Sequence, residues 1–442
     1  HGGTNFGRES MFLQTASYDF DAPLDEFGCD TMKYHHLAKL HRILAGFAPA
    51  LLSDARPAPA FQKGRQSTWS YSGAGRTLAF LCNDSKDEKA PVPFEGTSYE
   101  VPPASVTLVG DGKALMNTLR IEPSARIARA MRPLNRALSG VTGWSEPMPA
   151  VWPKDLRAGI GIKEPQEQLQ FTKDGTDYCW YSAVLRVHAA ETGAGRLTLT
   201  GIGDVAYVFL DDKLVASTTG TLPENRMLWP EKTEHLGDFK TIASFNYTQT
   251  FNIAMAPGEH VLAILCCGAG LIKGDWMLGM QNMANERKGL WGPVLWNGKP
   301  IRGPWTLQPG LLGETCRLFD AAGELAKWRG DVLRNPRLPL RWWRCTFARP
   351  PGNAPLALDM ASMTRGLIWL NGRCVGRYWT IAANAGDVFE PGPPAAGRGH
   401  SDEPTQRHYH LPLEWIQDQN VLVIFEERGG DPSAIRLCQW SR

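Results

Sequence analysis

HGGTNFGRESMFLQTASYDFDAPLDE, residues 1–26, is the stretch on which the fold and chemistry of the chain turn. Gly2, Gly3 and Gly7 free the backbone around Thr4, Asn5 and Phe6, as a strand end requires where the main chain nears a ligand or turns sharply. The segment SYDFDAP that follows interleaves Asp19 and Asp21 with the rings of Tyr18 and Phe20, and Pro23 imposes an extended approach. Polar acceptors and ring faces then project from one short loop, a combination that suits sugars. A Gly-rich turn beside an Asx-type loop, with its aromatics in the core, accounts for the same composition, and both readings stand at this level.

HGGTNFG at residues 1–7 and SYDFDAPLDEFG at residues 17–28 together resemble family 35 of the glycoside hydrolases, the β-galactosidases, whose pattern runs HGGTNFG, a variable spacer, then SYDYDAPLDEYG. The resemblance implies that the first motif closes the last strand of a (β/α)8 barrel. It implies that the second supplies an aromatic wall of a galactose pocket, with Asn5, Tyr18 and Phe20 as substrate-binding residues. Phe20 stands where the family has Tyr, which keeps a ring face and drops a hydroxyl.

The activity implied is a retaining exo-β-galactosidase that releases terminal β-galactosyl residues from glycans or oligosaccharides, with no metal or organic cofactor. Retention takes two carboxyl groups about 5 to 5.5 Å apart. By resemblance these are glutamates on barrel strands ahead of His1, one within a phrase like ENEYG that does not occur here. Glu9, Asp19, Asp21, Asp25 and Glu26 are the rim carboxylates, and the motifs give none of them that role. The expectation is a chain without catalytic residues of its own, inactive alone, whose partners are a β-galactoside and a missing N-terminal barrel portion. The start on His1 in mid-motif, with neither Met nor leader, reads as a truncation. A complete, non-catalytic carbohydrate-binding or scaffolding protein is the alternative. The resemblance points to a secreted or periplasmic location.

Composition sets the outer bounds. At 43% hydrophobic and 21% charged, the 442 residues read as several ordinary globular domains. Lys and Arg number 47 against 45 Asp and Glu, which leaves no field to recruit nucleic acid or an anionic membrane. No apolar run reaches the roughly 18 residues of a spanning helix. Nine cysteines show no zinc spacing and leave the redox compartment open. The motifs GxSxG, HExxH and a phosphate loop are missing from the sequence, so other hydrolase classes have no support.

The predicted fold is mainly β: the end of a (β/α)8 barrel, a small β-domain and two galactose-binding-like jelly-roll sandwiches. Residues 1–50 read as the last barrel strand and helix, with Tyr34, Leu37, His41, Leu44 and Phe47 at helical spacing from Thr31 onward. Residues 51–110 read as a small antiparallel β-domain and residues 111–166 as a wrapping linker. Residues 167–302 and 303–442 read as the two sandwiches. Within the first, Gly201, Gly203 and Ala206 match a dinucleotide fingerprint on paper, but a strand and hairpin follow where a helix is required. Cys266 and Cys267, consecutive in a strand, are expected on opposite faces. In the second, LNG reads as a hairpin. His408 and His410 share a strand face, where stacking or hydrogen bonding is favoured over metal binding because no third ligand is in view.

Overall fold

The structure is a computed structural model. It describes residues 1–8, 16–18, 22–53, 58–119, 130–188, 193–218, 248–270, 287–320, 328, 334–381, 404 and 406–441. The chain divides into two compact units, one of His1–Thr4, Ser17–Arg129 and Arg442, the other of Asn5–Ala16 and Ala130–Ser441. Among the described residues no helix is long and apolar enough to cross a membrane.

In the first unit, the helix Met32–Gly46 starts where the Thr31 hydroxyl accepts the Tyr34 N–H, an N-cap that satisfies one of the free amides of the first turn. Leu40, Ile43 and Leu44 carry it onto Phe47, Leu78 and Leu108. Tyr34, expected on the apolar stripe, is exposed. Strands Ala58–Lys63, Gln66–Gly73, Arg76–Asn83, Ser105–Gly110 and Lys113–Asn117 form one antiparallel sheet, and Ala90–Phe94 pairs with Thr97–Val101 as a hairpin. Leu81, Val92, Phe94, Val101 and Val109 close a small core between them.

The second unit holds two sandwiches. In the first, a six-stranded sheet runs Ile160–Ile162, Trp305–Pro309, Tyr178–Val187, Gly258–Cys267, Val205–Leu210 and Lys213–Ser217. It faces a four-stranded sheet of Gln249–Met255, Gly193–Leu199, Val294–Trp296 and Lys299–Pro300. The second sandwich pairs a sheet of Ala130–Ala137, Arg436–Ser441, Leu356–Asp359 and His408–Leu411 with one of Ser139–Ser145, Arg341–Ala348, Gln419–Glu426, Arg365–Leu370 and Arg373–Trp379. The Asn371–Gly372 turn joins the last two of these strands with φ of 51° and 83°, the left-handed pair that a two-residue hairpin demands.

Side-chain alternation assigns each central strand to two cores. Along Tyr178–Val187, Cys179, Tyr181, Ala183, Leu185 and Val187 enter the interior of the first sandwich, while Tyr178 and Trp180 enter a seam shared with the second. Cys266 and Cys267 divide in the same way, one into each cluster. Trp342, Leu367, Trp369, Val423 and Phe425 supply the other side of the seam. Burial on both faces explains why these strands read as nearly continuous apolar runs.

The linker expected at 111–166 is corrected by the strands it contains. Lys113–Asn117 extends the sheet of the first unit, Ala130–Ala137 and Ser139–Ser145 add one strand to each sheet of the second sandwich, and Ile160–Ile162 edges the first. All four lie at sheet edges, where one side is unpaired and few residues are buried, so their sequences lack apolar runs. The boundary at 302/303 also moves, because Trp305–Pro309 inserts between Ile160–Ile162 and Tyr178–Val187 in the first sandwich.

Candidate functional site

The opening motif is shared between the two units, and each part is held by different means. In the first unit, Gly3–Thr4 pairs antiparallel with Ser17–Tyr18, so that Gly3 lies opposite Tyr18 and Thr4 opposite Ser17. The Gly2 amide donates to the Leu24 carbonyl at 2.6 Å. A Cβ at Gly2 would lie 2.5 Å from the Tyr18 carbonyl oxygen and 2.6 Å from the Asp25 backbone carbon, so only glycine permits this approach.

The two described rim carboxylates next to this pairing are buried and act as acceptors. Glu26 takes the Thr4 hydroxyl on Oε1 at 2.9 Å and the Ser17 hydroxyl on Oε2 at 2.6 Å. Asp25 accepts the amides of Phe27 and Cys29 on Oδ1 at 2.9 and 2.8 Å, an Asx-type turn that folds the DEFG segment back on itself. The Glu26 contacts bind loop to strand. Tyr18 is half-buried on its short strand. Phe20 lies outside the described residues, as do Glu9, Asp19 and Asp21.

In the second unit, the Asn5 amide donates to the Ala16 carbonyl at 2.8 Å. Phe6 packs its ring at 5.6 Å from His410 and 5.0 Å from Trp415, centroid to centroid. His410 meets Phe6 in a tilted ring contact, with 49° between the planes, and burial pushes its imidazole down to about 4, neutral over the physiological range. Gly7 donates its amide to the Val375 carbonyl at 3.2 Å. A Cβ on Gly376 would stand 3.3 Å from the Gly7 oxygen.

Arg8 completes the attachment and was not singled out by its sequence context. Its Nη1 donates to Asp177 Oδ1 at 2.9 Å and its Nη2 to the Asp174 carbonyl at 2.5 Å. Asp177 also accepts Arg377 Nη2, and Arg377 reaches Glu427 Oε1 at 3.3 Å. Glu427 further accepts Tyr178 and Tyr207 hydroxyls at 2.9 and 2.7 Å and Arg365 Nε at 2.9 Å. Burial by itself raises the Glu427 carboxyl, but Arg365, Arg377 and the two tyrosines outweigh it and hold the group below its ordinary value. The segment Asn5–Arg8 is thus fastened to both sandwiches, through Phe6 and Gly7 to the second and through Arg8 to the first. The signal for the network was the pair Glu426–Glu427 ending the apolar strand VLVIF, two charges where a core strand leaves no solvent for them.

Two stretches of the chain match known families. Residues 1–44 match the glycosyl hydrolases of family 35, and residues 340–420, within the second sandwich, match the galactose-binding domain of β-galactosidases. The chain is thus similar to glycosyl hydrolase family 35 at its start and to a β-galactosidase domain in its second sandwich. Beta-galactosidase 3 of Oryza sativa subsp. japonica is 30% identical over 463 residues, covering 99% of this chain and 51% of its own length. Beta-galactosidase 6 of the same plant is 28% identical over 473 residues, with 98% and 51% covered. The chain spans about half the length of these curated relatives. Among solved structures, a GH2 beta-galacturonidase from Eisenbergiella tayi is similar over 55% of this chain and 32% of its own, at 13% identity and a TM-score of 0.19, too distant to bear on function.

Proposed function

We propose that the chain contributes the sugar-facing rim and the two sandwiches of a retaining exo-β-galactosidase that hydrolyses terminal β-galactosyl residues of glycans or oligosaccharides. The observation that carries this reading is the family 35 match over residues 1–44 joined to 99% coverage of the chain by a relative twice its length. In this reading Asn5, Tyr18 and Phe20 line the galactose site, and the nucleophile and acid/base come from sequence outside the 442 residues. The engagement of Glu26 by two hydroxyls and of Asp25 by two amides supports a bracing role for these acids.

The purified chain should not turn over a chromogenic β-galactoside, because the covalent route needs a carboxylate pair. Joined to the barrel half of a family 35 relative, it should release β-galactose as the first-formed anomer, followed by NMR. Release of the α anomer, or turnover by the chain alone that is lost on mutating one of its own carboxylates, would overturn the reading.

A further inference from the structure

The sequence offers His408 and His410 as a pair, and the structure separates them. His410 belongs to the packing around Phe6, whereas His408 sits beside two other donors. On the second sandwich, Asp359 is paired directly with His408 on one neighbouring strand, and Ala357 with Cys438 on the other. Leu356 and Leu358 point into the sandwich, so Ala357, Asp359, His408 and Cys438 share the opposite face. Ala357 adds only a methyl group to that face. The carboxylate, imidazole and thiol donor atoms of Asp359, His408 and Cys438 all lie within 4.8 Å of one another.

We infer that Asp359, His408 and Cys438 form a zinc site that cross-braces three adjacent strands of the second sandwich. The donor set of one carboxylate, one imidazole and one thiolate suits a borderline-soft, tetrahedral ion. Bonds of about 2.0 to 2.3 Å put tetrahedral donors about 3.5 Å apart, so closure takes a shift of about 1 Å in side chains. Three protein ligands leave a fourth position for water.

Arg407 is the competing cation. It grips Asp359 through Nε to Oδ1 at 2.7 Å and Nη2 to Oδ2 at 2.6 Å, while the Ala361 amide donates to Oδ1 at 3.1 Å. The Arg407 side chain is 54% exposed and can leave toward solvent without unpacking the core. Zinc entry then exchanges one cation for another on Asp359, forms a Zn–S bond as the Cys438 S–H bond breaks, and releases that proton to solvent.

Cobalt(II) titration of the whole 442-residue chain in reducing buffer tests the site. The expected result is one sulfur-to-cobalt charge-transfer band per chain, saturable and displaced by zinc. His408→Gln and Cys438→Ser should each weaken binding by more than about a hundredfold, beyond the effect of losing an outer partner. Arg407→Ala should tighten it by on the order of tenfold by removing the competitor. Absence of the band in the parent chain, or its persistence at full strength in Cys438→Ser, would reject the site. If Cys438→Ser does not fold, His408→Gln carries the same test at a half-buried position, and an unchanged cobalt affinity there is equally fatal.

Discussion

Glu426 and Glu427 are sequence neighbours, both fully buried, yet they serve two regions built from different materials. Glu426 stays with the second sandwich, accepting the amides of Thr364, Arg428 and Gly429 at 2.9, 2.9 and 3.0 Å and the Tyr378 hydroxyl at 2.9 Å. Glu427 points the other way, into the seam between sandwiches, where its partners are the side chains Tyr178 and Tyr207 from one and Arg365 and Arg377 from the other. The interior of the second sandwich mixes Ile, Leu and Met with Trp343, Phe347, Tyr378 and Tyr409, while the seam is led by Trp180, Trp342, Trp369 and Phe425. An apolar interior is satisfied by many packings, but a buried carboxylate between two guanidiniums is satisfied by few. The seam therefore specifies one mutual arrangement of the sandwiches, while the interiors supply the bulk of the burial.

The sharpest way to break this contrast is Glu427→Ala, which leaves the buried Arg365 guanidinium without a carboxylate and Arg377 with Asp177 alone. Loss of a buried partner costs about 3 to 5 kcal/mol. Urea unfolding should show that loss, with the transition of the second unit splitting in two as the sandwiches lose their common lock. A single transition with an unchanged midpoint would mean that the aromatic packing of the seam is sufficient.

A pH scan reaches the seam by another route. Glu146 accepts the amides of Leu312 and Gly313 at 2.6 and 3.1 Å and Trp342 Nε1 at 2.8 Å, yet burial prevails and pushes its carboxyl up to about 8. A group raised on folding contributes stability that is complete below its unfolded value and lost as pH rises through its folded one. Unfolding free energy should therefore fall between about pH 4.5 and 8, with a slope approaching ~1.4 kcal/mol per pH unit for this group. Glu146→Gln should flatten that limb even where it lowers absolute stability. A slope unaltered by the substitution would place the titration elsewhere.

The smallest effect belongs to the interiors. Ile264→Val in the first sandwich removes one methylene from a fully buried position and should cost about 0.5 to 1.5 kcal/mol, with both sandwiches still unfolding together. Calorimetry that showed split transitions for this variant would erase the distinction between interior and seam.

Much of this organisation was legible in one dimension. The helix from Thr31, the Asn371–Gly372 hairpin and the opposed Cys266 and Cys267 follow from local rules of capping, turn conformation and strand alternation. The motifs of residues 1–28 carried the resemblance to family 35. Edge strands such as Ala130–Ala137 were not legible, since their pattern is set by the sheet they join.

By itself, then, the sequence determined which segments are strands with two buried faces and which family the opening motif resembles, because apolar periodicity and a glycine-spaced motif are local properties. Only the tertiary structure decided the partners. Arg8 meets Asp177 across 169 positions, Tyr207 meets Glu427 across 220, and His408 stands beside Cys438 rather than His410. Pairings at such separations depend on strand order and on which face of a sheet is covered, and no periodicity within a strand encodes either.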